Sequence, residues 1–336
     1  MKRALLWERV EGNNIKCHLC ERHCLIEEGK RGFCRMRVNK DGELFTLSYG
    51  NLSAIESRPI EIKPFYHFYP GTSSLTISTY SCNFPCPWCQ NWHLSKEVVE
   101  ETRFISPQEV INMAVGKDQG ICVSFNEPTL LYEYCFELFP LAKKEMLYTC
   151  IVSNGYMTVE ALEGLREAGL DAIKIDIKGV PESYEKFLKA DAYIPWRNAK
   201  IARELGMHLE IVSLMVSSVN DSEEAVNWVI EQHLKYAGES VPLHFTRYFP
   251  AYHFHAPPTD IEKMEWAYRE AKRKGVKYVY IGNIPGHRYE NTYCPSCGMC
   301  LISRYVFRVL SIKIKNGRCP NCGEPIPVVM QEGGER

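Results

Sequence analysis

The chain of 336 residues lacks any run approaching the roughly 18 consecutive apolar residues that cross a bilayer, and Met1 to Arg9 carries no apolar stretch suited to a secretory signal. It also lacks charge of one sign. Lys and Arg number 40 against 41 Asp and Glu, a formal charge of -1, which excludes a globally basic nucleic-acid binder and leaves room only for a local basic patch. Internal repeats and low-complexity tracts are missing as well. These absences predict a globular, cytoplasmic protein without membrane association.

Cysteine is what the chain has in excess, at 15 residues. A reducing compartment does not favour structural disulfides, so this many thiols need another purpose. Cys17, Cys20, Cys24 and Cys34 form one group, Cys82, Cys86 and Cys89 a second, and Cys294, Cys297, Cys300, Cys319 and Cys322 a third. Only Cys122, Cys135 and Cys150 fall outside, in apolar surroundings where a free cysteine is usually a small core residue. Clustered cysteines under reducing conditions read as metal sites.

The pattern divides the chain into a Cys-rich amino-terminal module over 1–70, a central unit over 71–290 and a small metal-stapled module over 291–336. In the first, Asn39-Lys-Asp-Gly42 separates Cys34–Val38 from Glu43–Leu47, as in a hairpin. The central unit alternates short β-rich runs with helical patterns. The runs are Leu75–Ser78, Ile121–Phe125, Leu147–Ser153, Ala172–Ile177, His208–Val216, Leu243–Phe245 and Val276–Ile281. Helices are expected to open at Ser106, with a capping box and proline at the first position, and near Thr129, Thr158, Ser222 and Asp260. Such alternation predicts an α/β fold whose parallel sheet curls into a partial or full (β/α) barrel.

Cys82-Asn-Phe-Pro-Cys86-Pro-Trp-Cys89 follows directly on the first of these parallel strands. Three thiolates can hold three corners of a 4Fe–4S cube and leave one iron open to a further ligand. Zinc with His93 as fourth ligand, or a metal-free thiol group, are the alternatives. Polar groups also follow the next strands: Asn126-Glu127, Ser153-Asn154-Gly155, and Asp176 with Lys178. Taken singly these are a helix cap, a turn and an ion pair. Together they should converge on the carboxyl rim of the barrel, where active sites form.

Residues 72 to 285 resemble the radical S-adenosylmethionine (SAM) superfamily and, within it, the pyruvate formate-lyase activating enzyme group. The resemblance implies that Cys82, Cys86 and Cys89 ligate the cluster and that Trp88 lies beside the adenine of SAM. It implies that Glu127 meets the methionyl amine, with Asn126 standing where the family has a glycine. Ser153, Asn154, Asp176 and Lys178 complete the implied SAM site, with Asp176 and Lys178 near the ribose and methionyl carboxylate. Nearly the whole chain is similar to one branch, the radical SAM component of the AmmeMemoRadiSam system. The similarity rests on Cys17-His-Leu-Cys20-Glu-Arg-His-Cys24, Ser124-Phe-Asn-Glu-Pro128, Asp176-Ile-Lys-Gly179, His244-Phe-Thr-Arg-Tyr-Phe-Pro250, Gly282-Asn-Ile-Pro-Gly286 and the final cysteine pairs. It implies Memo-type and AMMECR-type proteins as partners and a reductant such as ferredoxin or flavodoxin.

Cys294-Pro-Ser-Cys297-Gly and Cys319-Pro-Asn-Cys322-Gly are two knuckle-like turns and predict a zinc ribbon, with Cys300 as an unpaired extra. Between them Arg304, Arg308, Lys313, Lys315 and Arg318 alternate with Tyr305 and Phe307, an arm suited to RNA or an acidic partner, or simply a solvated hairpin. Cys17, Cys20, Cys24 and Cys34 form a closed four-cysteine site for zinc or a second cluster, with His18 and His23 as substitute ligands. Zinc is favoured, because a tetrahedral site can staple a core-poor module. The expected activity is radical SAM chemistry on RNA, protein or a small molecule, with glycyl-radical activation one option. The alternative is a zinc-dependent RNA- or protein-binding adaptor with a non-catalytic cluster.

Overall fold

The computed structural model describes residues 1–99 and 103–330; the last six residues of the expected 291–336 module lie outside them. Eight strands form the central sheet: β1 (Ala54–Pro59), β2 (Ser73–Ser78), β3 (Gly120–Val123), β4 (Tyr148–Ser153), β5 (Ala172–Ile177), β6 (His208–Met215), β7 (Leu243–Arg247) and β8 (Val279–Gly282). Strands β2 to β8 are parallel and lie in sequence order, while β1 pairs antiparallel with β2. Edge strands β8 and β1 do not pair with each other, so the barrel is partial. β3 and β4 read as near-continuous apolar runs, buried on both faces, while β5 alternates Lys174 and Asp176 with isoleucines.

The helices begin where the sequence punctuates. Ser106 Oγ accepts from Glu109 N at 3.2 Å while Ser106 N donates to Glu109 Oε2 at 2.8 Å, closing the capping box of Pro107–Ala114. Thr158, Ser222 and Asp260 cap Val159–Glu167, Glu223–Gln232 and Ile261–Arg273. Two elements depart from expectation. Thr129 lies in a 3₁₀ turn, Pro128–Leu131, and the α-helix starts only at Tyr132. Tyr193–Glu204 carries no side-chain cap, which is why no start signal marks it in the sequence.

β1 also escapes the sequence reading, and it lies within the stretch 1–70. Its second half, Glu56-Ser-Arg-Pro59, is polar and ends in proline, as suits the exposed edge of a sheet. The expected hairpin forms from Arg37–Lys40 and Glu43–Thr46, turning at Asp41 (φ 53°) and Gly42 (φ 73°). It starts later than expected because residues 33–35 form a turn that carries Cys34.

The gap between the sheet edges is filled by residues 60–69 and the carboxyl-terminal hairpin of Cys300–Tyr305 and Arg308–Ile312. Tyr69 N donates to Val329 O at 2.8 Å, and Tyr66, Tyr278, Tyr280, Leu301 and Ile302 share one core. Arg304 corrects the sequence reading. It is 4% exposed and takes no part in a basic surface arm. Its guanidinium donates to Tyr66 O at 2.8 Å, Thr292 Oγ1 at 2.8 Å and Glu290 O at 3.2 Å, and lies 4.2 Å over the Tyr66 ring. Arg308, Lys313, Lys315 and Arg318 remain exposed, as do Tyr305 and Phe307.

Replacing Arg304 by Leu strands the Tyr66 and Glu290 carbonyls and removes the cation facing buried Glu61. The expected loss is about 2–4 kcal/mol in denaturant unfolding, against less than about 0.5 kcal/mol for Arg308→Leu. Equal effects of the two variants would refute this division of roles.

Candidate active site

The register of the parallel strands aligns their carboxyl ends: Ile77 pairs with Val123, Val123 with Ile151, Ser153 with Ile175, and Ile177 with Ser213. The loops that follow therefore meet on one rim. The loop after β2 carries the three cysteines, and the chain pins it from every side. Ser81 N donates to Leu94 O at 2.8 Å, Lys96 Nζ to Phe84 O at 2.7 Å, His253 N to Pro87 O at 2.9 Å and Gln90 Nε2 to Phe249 O at 2.8 Å. Asn91 Nδ2 reaches across to Phe125 O at 2.6 Å.

Cys82, Cys86 and Cys89 line a cavity of about 320 Å³ together with Trp88, Asn126, Glu127, Asn154, Asp176 and Lys178. That volume lies at the lower end of the range for small-molecule sites. Of the expected SAM residues only Ser153 stays off the wall; it sits behind Glu127 and donates to its Oε1 at 2.7 Å. Glu127 also accepts from Thr129 N at 3.1 Å, Thr129 Oγ1 at 2.6 Å and Asn154 N at 2.9 Å. Burial raises its pKa in spite of these donors. The Asn126 amide braces the loop, donating to Ser81 O at 2.8 Å. Trp88 is 2% exposed and packs edge-on to Phe187 and Phe254.

Asp176 lies between two ammonium groups, with Lys174 Nζ at 2.5 Å and Lys178 Nζ at 3.2 Å. Burial works against its charge, but Lys174 and then Lys178 hold its carboxyl down to about 2. Burial likewise opposes the Lys178 ammonium, and Asp176 and Cys86 more than offset it, so its pKa rises. Lys174 and Lys63 were missed from the sequence. For Lys174 the signal was there: alternation along β5 puts residues 174 and 176 on one face. Lys63, whose Nζ stands 3.8 Å from the Phe125 ring centre, comes from the segment 60–69, and no local pattern points to it.

Burial pushes up the thiols of Cys82 and Cys86; Glu127 adds to the first shift, and Lys178 and Lys96 oppose the second. Buried thiolates without a cation are costly, so three of them facing one cavity call for a metal. Among the described residues, the only three or more metal-ligating atoms within 4.8 Å of one another are those of Cys294, Cys297, Cys319 and Cys322. The sulfurs of Cys82, Cys86 and Cys89 are not grouped that closely. His93 sits exposed on the short helix Trp92–Ser95 and is absent from the cavity wall.

In the carboxyl-terminal group, Cys294 and Cys322 sulfurs lie 3.5 Å apart and those of Cys297 and Cys319 3.7 Å, spacings that fit one tetrahedral ion. Cys300 stays out, directed at Ile302 O at 3.8 Å. Cys17, Cys20, Cys24 and Cys34 line a separate pocket. His18 and His23 do not line it and pair with Glu8 and Glu21, each at 3.0 Å. Cys122, Cys135 and Cys150 are fully buried. No helix among the described residues is long and apolar enough to cross a membrane.

A partial parallel barrel with a three-cysteine loop and convergent charged groups on its carboxyl rim defines a class of cluster-bearing α/β enzymes. Residues 76–229 match the Radical SAM superfamily. The chain is 38% identical over 336 residues to uncharacterized protein MJ0808 of Methanocaldococcus jannaschii, spanning 98% of this chain and 100% of that one. A second protein of that organism, MJ1632, provisionally named a glycyl-radical enzyme activating enzyme, is 26% identical over 224 residues, 63% of this chain and 80% of its own. In fold, the chain is similar to Streptococcus suis SuiB bound to S-adenosylmethionine, at TM-score 0.51 and 13% identity, over 62% of this chain and 51% of that one. The chain belongs to the radical SAM superfamily, and that membership brings a 4Fe–4S cluster and SAM with it.

The Asp176 carboxyl titrates below its ordinary 3.8 when folded. Its stabilising effect is thus complete above about pH 4 and lost as pH falls toward 2. Urea unfolding of Asp176→Asn should lose about 2 kcal/mol of the wild-type decline across that window. A wild-type slope retained in the variant would show that Asp176 is not held by its lysines.

Proposed function

We propose that Cys82, Cys86 and Cys89 hold the 4Fe–4S cluster and that the adjoining cavity binds SAM. When bound, these groups supply reductive cleavage of SAM to methionine and a 5′-deoxyadenosyl radical that abstracts hydrogen from a substrate. The observation that carries this reading is the sharing of one 320 Å³ cavity by three cysteines, Glu127, Asp176 and Lys178. Lys178, kept cationic by Asp176, takes the methionyl carboxylate, and Asp176 itself lies toward the ribose. Glu127, held rigid by strand β4 and Thr129, receives the methionyl amine on its less occupied oxygen, Oε2. Trp88, wedged by Phe187 and Phe254, forms the wall for adenine. Phe84, Val152, Val212 and Leu214 complete an apolar lining that keeps water from the reacting atoms.

A low-potential donor of the ferredoxin or flavodoxin kind provides the electron. The carboxyl-terminal cysteines hold zinc and staple the hairpin that closes the barrel gap. The substrate is a macromolecule, an RNA or a protein, recruited by the exposed face of Arg308, Lys313, Lys315 and Arg318 with Tyr305 and Phe307. Such a face attracts phosphates or carboxylates in a salt-dependent way and offers rings for stacking.

Anaerobic, reconstituted protein with dithionite should form 5′-deoxyadenosine, and alanine at Cys82, Cys86 or Cys89 should abolish it, because a second iron loses its ligand. Lys178→Ala and Glu127→Ala should weaken SAM binding about tenfold or more, each losing a charge-assisted contact, while iron content holds. A cysteine variant that still cleaves SAM would refute the cluster assignment, and a wild-type protein that never does so would favour a binding adaptor. Reversing Arg308 and Lys313 to Glu should leave uncoupled SAM cleavage intact and reduce processing of the substrate, more so at higher salt. Unchanged processing would make the hairpin a structural cap only.

A further inference from the structure

The chain contains its own standard for a single-ion site. Around Cys294, Cys297, Cys319 and Cys322 the sulfurs approach to 3.5 and 3.7 Å and all lie within 4.8 Å. No three of Cys17, Cys20, Cys24 and Cys34 do so, although all four line one pocket. They are too far apart to share one tetrahedral ion with bonds of about 2.3 Å. Four thiolates that each hold a separate iron stand at this wider spacing.

The pocket wall carries donors that suit an anionic occupant. Asn83 is 1% exposed, lines the pocket, and has no hydrogen-bond partner at its Nδ2 donor. Arg37, 2% exposed, brings its Nη1 to 3.7 Å from Cys17 Sγ, while its Nε is also unpartnered. Phe33 N donates to Cys24 Sγ at 3.4 Å. Phe33 N and Arg37 Nη1 approach sulfur, and Asn83 Nδ2 and Arg37 Nε are buried and unspent; inorganic sulfides and terminal thiolates accept such donors. Leu19, Ile26, Phe33 and Leu130 close the remainder of the wall and shield the site from water.

We infer that Cys17, Cys20, Cys24 and Cys34 hold a second 4Fe–4S cluster, fully ligated by protein and therefore closed to SAM. Asn83 joins it to the triad. The same side chain that lines this pocket accepts from Asn154 Nδ2 at 2.7 Å, and its Oδ1 lies 3.8 Å from Cys82 Sγ. The two clusters are thus one asparagine apart, and they share no cysteine.

The test is metal and sulfide analysis, with electron paramagnetic resonance, on anaerobically reconstituted full-length protein. The wild type should contain about eight irons, about eight sulfides and about one zinc per chain. The triple variant Cys82→Ala, Cys86→Ala, Cys89→Ala should keep about four irons and four sulfides. Its reduced spectrum should not respond to added SAM. Cys24→Ala, at a partly exposed position, should lower wild-type iron to about four and leave the SAM-responsive signal in place. A wild type with about four irons and about two zincs, or a triple variant with zinc or no metal in place of iron, would overturn the inference. Neither result bears on the triad, whose failure appears separately as loss of the SAM-responsive signal from the wild type.

Discussion

The parallel register of seven strands is the constraint on which this molecule depends. It places Ile77, Val123, Ile151, Ile173 and Leu209 at one level with all the strands running the same way, so every loop that follows opens on the same side. A cysteine loop after β2 and an Asp–Lys pair after β5 are 90 residues apart in the chain, yet they line one cavity. Apolar burial of the sheet holds that register. The rim can then concentrate charge, orphan thiols and immobilised loops that would not be stable on a surface of their own. Asp176 shows the balance: burial disfavours its charge, and two lysines restore it.

Much of this was legible in the sequence because its signals are local. Strand runs with β-branched residues, side-chain caps at Ser106, Thr158, Ser222 and Asp260, and the three-cysteine spacing each report on a few consecutive residues. What was not legible depends on long-range docking. Arg304 looks like part of a basic arm until Tyr66, some 238 positions earlier, accepts its proton and gives its ring. Lys63 joins the cavity only because the segment 60–69 crosses the barrel gap. Lys174 was a missed local signal, since strand alternation alone pairs it with Asp176. Whether four cysteines suit one ion or a cluster also escapes spacing along the chain, because it is decided by how the loops are set against the barrel.

The gap between β8 and β1 is closed by other means than strand pairing. A closed barrel would satisfy its edges by pairing them with each other. Here residues 60–69 and a hairpin anchored by four cysteines take that place, with Tyr69 and Val329 sharing a backbone bond. The interior behind them is polar. Glu210 accepts from His208 at 3.0 Å and His244 at 2.6 Å, and His67 bonds the Tyr280 hydroxyl at 2.6 Å. Such a network is stable only when every member has its partner, which ties the placement of the hairpin to the integrity of the barrel below the active site.

Arg22 bears on how the molecule comes into being. Its guanidinium donates to Asn83 O at 3.1 Å, Leu188 O at 2.6 Å and Lys189 O at 2.5 Å. The amino-terminal module leaves the ribosome before the barrel does, but two of the carbonyls that hold Arg22 are made more than 160 residues later. The wall around the four thiols takes Asn83, Thr129 and Leu130 from the barrel, so it stays incomplete until the turn Pro128–Leu131 has emerged. Vectorial synthesis thus leaves these cysteines open to solvent until that turn is made, and the contacts of Arg22 are complete only after β5 has followed.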